Sequence, residues 1–200
     1  MKKQLIAMII GLSVLATGCG GGASSEPSEP ATTAAEATTA APAEATTKAP
    51  EKKSGVTAEN YHKIKMDMSY DDAKKIMGSE GEVSSDSELS GIKTTIYSWQ
   101  DGLASINITV QNEEVVGKAQ AGVETDTAEA TMDNYNKIET GMSYDDVKKV
   151  MGGEGIQMSE TKIMDIESSI YSWYASDHIS NCTITMQNGK VSSKAQAGLK

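Results

Sequence analysis

Few side chains in this 200-residue sequence have the range to act as ligands, nucleophiles or acid–base groups: two histidines, two cysteines, two pairs of adjacent aspartates and 11 methionines. His62 and His178 stand in unrelated settings, and no Cys/His run has the spacing of a metal site, so both read as surface residues. Cys182 lies in an alternating segment whose neighbourhood shows no cation to lower a thiol pKa. It reads as a buried thiol rather than a nucleophile. Asp71-Asp72 and Asp145-Asp146 suggest a calcium site at first sight, yet each pair follows a serine at the start of a helical pattern. Carboxylates there complement the helix dipole and cap free N–H groups. Met68, Met77, Met142 and Met151 would serve a thioether copper site, but a chain without Phe needs a flexible apolar filler for its core. No two carboxylates are forced by spacing to converge across a cleft. The expectation is no catalytic residue, no metal and no cofactor.

The elements that position these residues are written twice. Tyr61 to Gly81 and Tyr135 to Gly155 match at an offset of 74, which holds through Ile96-Tyr97-Ser98-Trp99 and Ile170-Tyr171-Ser172-Trp173. The register then slips by two, since Lys118-Ala119-Gln120-Ala121-Gly122 matches Lys194-Ala195-Gln196-Ala197-Gly198. A two-residue insertion falls around Ala175 to Asn181. In each copy a serine (Ser69, Ser143) opens an S-x-x-D cap, apolar residues follow at helical spacing, and Gly78 or Gly152 stops the helix. A shorter helix precedes it, near Ala58 to Ile64 and Met132 to Ile138. After the glycine the pattern alternates with period two. Asn188-Gly189 marks a tight hairpin, and Asn112-Glu113 is its weaker counterpart. The predicted fold class is therefore α+β, a tandem duplication in which each repeat has two short helices followed by a four-stranded antiparallel sheet.

The N-terminal part differs in kind. Lys2 and Lys3 precede a 12-residue apolar run, Leu5 to Ala16, about 18 Å of helix and too short for a hydrocarbon core of roughly 30 Å. It predicts a signal peptide over residues 1–18. The close of this run, Leu15-Ala16-Thr17-Gly18-Cys19, resembles the lipobox of bacterial lipoproteins, which implies that Cys19 carries lipid and anchors the chain outside the cytoplasm. From Ala23 to Pro50 the sequence is Ala, Thr, Glu, Pro and Ser with one Lys, and it holds all four prolines. No core can form from it, so residues 19–55 read as the lipidated cysteine and a disordered tether. The folded part then divides into a first repeat (56–122), a linker (123–131) and a second repeat (132–200).

Tyr-x-Lys-Ile, then Gly141-Met142-Ser143, a short helix ending in Met-Gly and a last strand reading Lys190-Val191-Ser192-Ser193-Lys194-Ala195-Gln196 together resemble the repeat of the beta-lactamase inhibitory protein. The half-repeat is also similar to the small lipoprotein subunit of the outer-membrane barrel assembly machine. The first resemblance implies two tandem helix-helix-four-strand units that grip a partner protein with a concave sheet surface. It covers about Tyr61 to Leu199. The inhibitor's disulfides are absent, because Cys182 is the only cysteine after Cys19.

The aromatic residues bear on where a partner would sit. Alternation places Tyr97 and Trp99 opposite Ile92 and Ile96, and Tyr171 and Trp173 likewise, with Tyr174 next in line. If the helices cover the isoleucines, these five rings form an open protein-binding face beside Asn107, Thr109, Thr183 and Thr185. The other placement puts each tryptophan at a strand end, closing the core or the seam between repeats. Composition narrows the partner class. With 18 Lys, no Arg, 28 acidic residues and a formal charge of −10, nucleic acid is excluded as a partner. The expected function is a lipid-anchored, non-catalytic, extracytoplasmic module that binds a protein or peptide of the cell envelope. A structural subunit of an envelope assembly complex is the alternative, and a small-ligand or metal carrier the third reading.

Overall fold

The computed structural model describes residues 55–200, which fall within one compact unit. The expected signal peptide, the Cys19 lipid site and nearly all of the tether lie outside the described residues. Among the described residues no helix is long and apolar enough to cross a membrane.

Helix α1 (Ala58–Lys63) and α2 (Tyr70–Met77) lead into strands β1 (Glu82–Leu89), β2 (Ile92–Asp101), β3 (Ala104–Gln111) and β4 (Glu114–Ala121). The second repeat gives α3 (Met132–Lys137), α4 (Tyr144–Met151), β5 (Ile156–Ile163), β6 (Ile166–Tyr174), β7 (Asn181–Gln187) and β8 (Lys190–Ala197). Helices of six and eight residues are too short to hold themselves, so capping and packing must do it. The Ser69 and Ser143 hydroxyls accept the N–H of Asp72 and Asp146, and donate to those carboxylates at 2.9 and 2.6 Å. Lys75 and Lys149 stand one turn on, and these contacts hold the Asp72 and Asp146 carboxyls below their ordinary pKa. Gly78 (φ 73°) and Gly152 (φ 83°) end the helices in the left-handed region, where a side chain would be strained.

The strands are antiparallel and follow one another in chain order, β1 to β8, in one eight-stranded sheet rather than two separate four-stranded ones. Bulges fall at equivalent places in both copies, after Val83 and Gln157, and after Thr109 and Thr185. The halves join where β4 meets β5, through Gly117 with Thr161, Lys118 with Glu160, and Ala119 with Ser159. The apolar cores remain distinct. Tyr61, Ile64, Ala73 and Met77 pack on Trp99, Ile106, Ile108 and Val115; Ile138, Val147 and Met151 pack on Trp173, Cys182, Ile184 and Val191.

Cross-strand register corrects one expectation. Residues directly opposite in an antiparallel pair share a face, and Tyr97 stands opposite Ile108, Trp99 opposite Ile106, Tyr171 opposite Ile184 and Trp173 opposite Cys182. Tyr97, Trp99, Tyr171 and Trp173 thus lie on the helix-covered side, while Ile92, Ile96, Ile166 and Ile170 face the other way. Trp99 is 6% exposed and Trp173 0%, so neither indole offers a surface to a partner. Of the five rings, alternation leaves only Tyr174 on the open side.

Candidate protein-binding surface

Each tryptophan is fixed by a glycine and a carbonyl. Trp99 Nε1 donates to Ser79 O and Trp173 Nε1 to Gly153 O, both at 3.2 Å. A Cβ added at Gly81 would come within 2.7 Å of the Trp99 ring, and one at Gly155 within 2.5 Å of Trp173. The preceding tyrosines stack on the helices, Tyr97 on Tyr70 at 3.8 Å and Tyr171 on Tyr144 at 4.1 Å between centroids. Burial pushes the Tyr70 hydroxyl up to about 12 and raises Tyr144 and Tyr171 as well. Cys182, free and buried, is pushed up to about 11 by the same cause. A thiol held so far above neutral pH is a packing group, in the place that Ile106 fills in the first repeat.

With the aromatic side sealed, the open face is what the sheet presents. From the first repeat come Ile96 and Ser98 on β2, Asn107 and Thr109 on β3, and Gly117 and Ala119 on β4. From the second come Ser159 and Thr161 on β5, Ile170 and Ser172 on β6, and Thr183 and Thr185 on β7. Asn107 and Thr109 on β3 and Thr183 and Thr185 on β7 therefore share the open face, four strands apart, without the rings expected beside them. None of these twelve side chains is charged, in a sequence that is 23% charged. A field of hydroxyls and small side chains with one isoleucine in each repeat costs less to dehydrate than a charged one, and depletion of charge marks the centre of protein interfaces.

The helix side of the seam is the opposite in character. Lys118, 1% exposed at its side chain, donates to Tyr61 O at 3.2 Å and Ile64 O at 2.9 Å, stands 3.2 Å from Glu160, and lies 4.6 Å above the Tyr61 ring. Burial pulls its ammonium pKa down and Glu160 opposes the shift. A cleft of about 570 Å³ opens beside it, lined by His62, Glu124, Gln157, Glu160 and Tyr171 among others. Its polar groups are largely spent on one another: His62 pairs with Glu124, Gln120 bonds Glu124 at 3.0 Å, and Gln157 bonds Tyr171 at 3.3 Å. His178 is exposed. Among the described residues no group of three His, Cys, Asp or Glu is placed to hold a metal ion. The sequence marks the buried lysine only by the recurrence of Lys118 and Lys194 at the head of Lys-Ala-Gln-Ala-Gly in each copy.

Comparison with known proteins agrees with this architecture. No curated protein sequence matches the chain. A candidate beta-lactamase inhibitor protein of Streptococcus mutans has a solved structure similar to this one, with a TM-score of 0.61 at 18% identity, covering 71% of this chain and 95% of that one. The similarity is one of fold. The family model described as beta-lactamase inhibitor (BLIP) matches residues 57–155 and again 131–200, two overlapping segments that together cover most of the sequence. This chain belongs to the beta-lactamase inhibitor (BLIP) family.

Proposed function

We propose that this protein is a non-catalytic binding module, inhibitor-like in mode, that takes a folded protein or peptide partner on the open face of its eight-stranded sheet. The observation that carries this reading is the uncharged field running across both repeats on the side away from the helices. Family membership supports a protein as the partner. The sequence around Cys19 supports the further reading that the module is lipid-anchored and extracytoplasmic, with the tether holding it away from the membrane.

Binding is tested by surface capture against a panel of purified beta-lactamases and envelope proteins. Wild type is compared with Asn107→Lys/Thr183→Lys, which puts one charge on the open face of each repeat, and with Lys75→Glu on the exposed side of α2. The reading expects any partner of the wild type to be lost by the first variant and kept by the second. Equal retention by both variants would remove the open face from the account. Anchoring has its own test: Cys19→Ala should abolish labelled palmitate incorporation and membrane fractionation, and unchanged membrane association would contradict it.

A further inference from the structure

The joint inside this molecule is also available at its two ends. Within the chain, β4 pairs with β5 through Gly117-Lys118-Ala119 against Ser159-Glu160-Thr161, with the Lys118–Glu160 ion pair at its centre. The duplication makes β8 the second copy of β4 and β1 the first copy of β5. Ser193-Lys194-Ala195 on β8 and Ser85-Asp86-Ser87 on β1 are the corresponding triplets. These are the two outermost strands of the sheet; every residue of β1 is exposed and its outer edge has no strand beside it among the described residues, while the outer edge of β8 is bonded to the loop before α4 at Val191, as β4 is to the loop before α2 at Val115, and has no strand beside Ser193-Lys194-Ala195. An unpaired edge is a template for another strand unless charge or shape blocks it.

We propose that a second copy of this chain docks its β1 on β8, antiparallel and in the register of the inner joint, with Lys194 facing Asp86. Charge selects this pairing over the others. β1 carries Glu82, Asp86 and Glu88 and no lysine, while β8 carries Lys190 and Lys194 and no acid, so β1 against β1 and β8 against β8 repel. Lys194 is already oriented as Lys118 is, donating to Tyr135 O at 2.8 Å above the Tyr135 ring at 4.4 Å, but it has no carboxylate partner among the described residues. Asp86 has Thr95 at 3.0 Å and Lys93 at 3.6 Å. Shape agrees too. A Cβ at Gly117 would stand 3.3 Å from the Thr161 methyl; at the ends, serine replaces that glycine (Ser193) and the opposing residue, Ser87, lacks the methyl. The inner joint has a second ion pair, Lys162 with Asp67, whose counterparts here are Glu88 and Gly141, and it has a covalent linker. The outer joint is therefore the weaker of the two. Being heterologous, it leaves one β1 and one β8 free in a pair of copies, and it would extend the uncharged face from one copy to the next.

The test uses the full chain in detergent micelles with Cys19→Ser, which leaves the buried Cys182 as the remaining native thiol. A chain bearing Ser193→Cys is mixed with one bearing Ser87→Cys under mild oxidation. The proposal expects a disulfide-linked dimer in the mixture at about tenfold the yield of either variant alone, reduced about tenfold again when the second chain also carries Asp86→Lys. Asp86 is an exposed edge residue, so this last change leaves the core intact. A mixture that yields no more dimer than the separate variants, or a yield indifferent to Asp86→Lys, would overturn it.

Discussion

The two repeats share caps, bulges and tryptophan sockets, and differ most at one conserved detail of the duplication, the lysine of the last strand. In the first repeat Lys118 is sealed under β5 and meets Glu160; in the second, Lys194 makes the same bond to a helix carbonyl but its outer side is open. The same side chain is a buried ion-pair member in one copy and a half-exposed hydrogen-bond donor in the other. The difference arises from what lies alongside the strand, not from the repeat itself. It shows that the second repeat is bound to the first by a polar joint between two separate apolar cores.

Removing a tryptophan should cost each repeat most. Trp99→Ala and Trp173→Ala are each expected to lower stability by about 3–5 kcal/mol, with the fully buried Trp173 at the upper end, as read from denaturant unfolding. The lysines should then separate the copies. Lys118→Ala strands Glu160 and two helix carbonyls and is expected to cost about 3 kcal/mol, whereas Lys194→Ala should cost about 1 kcal/mol. Equal losses would mean that β5 adds nothing to the environment of Lys118. A smaller effect distinguishes the hairpins. Asn188-Gly189 and Asn112-Glu113 both adopt positive φ, and Glu113 at φ 71° bears a side chain where glycine is favoured. Glu113→Gly should stabilise the first repeat by about 1 kcal/mol, visible as a raised unfolding midpoint.

Alkali probes the stacked tyrosines. Tyr70 is held protonated to about 12 against an ordinary value of 10.0, so its unfolded form ionises first. Stability from this group is present below pH 10 and is lost as pH rises toward 12. The part of the tyrosinate absorbance that Tyr70→Phe removes should therefore appear above pH 10 together with loss of far-UV dichroism, and its appearance near pH 10 in a folded chain would show that the stack of Tyr70 on Tyr97 is open.

Local chemistry made the helices and turns readable: Ser69 and Ser143 with an aspartate three residues on, Gly78 and Gly152 as stops, and Asn188-Gly189 as a hairpin. The same holds for the duplication, since an offset between identical motifs needs no structure. The facing of the sheet was not readable. Isoleucine stands on both sides, Ile96 and Ile170 on one and Ile106, Ile108 and Ile184 on the other, so hydrophobicity along a strand does not choose between them. Cross-strand register groups the rings with Ile106, Ile108 and Ile184, and which face the helices cover is set by packing far apart in sequence, such as Tyr61 and Ile64 in one core with Ile106 and Ile108. Gly81 and Gly155 carried a usable sign in their recurrence ahead of the tryptophans, because a close ring on the backbone requires glycine. The β4–β5 joint left none, as Gly117 to Ala119 and Ser159 to Thr161 match no pairing motif.

The account rests on the two open faces being one surface, which requires the repeats to hold together as one folded body. Each repeat has a single tryptophan, so Trp99→Phe and Trp173→Phe leave one fluorescent reporter in the second and first repeat, respectively. In each variant, urea unfolding followed by the remaining tryptophan and by far-UV dichroism should give one coincident midpoint, lower than that of the wild type. A remaining tryptophan that unfolds at the wild-type midpoint while dichroism shows an earlier, separate transition would mean that the repeats are independent and that the sheet offers no common surface.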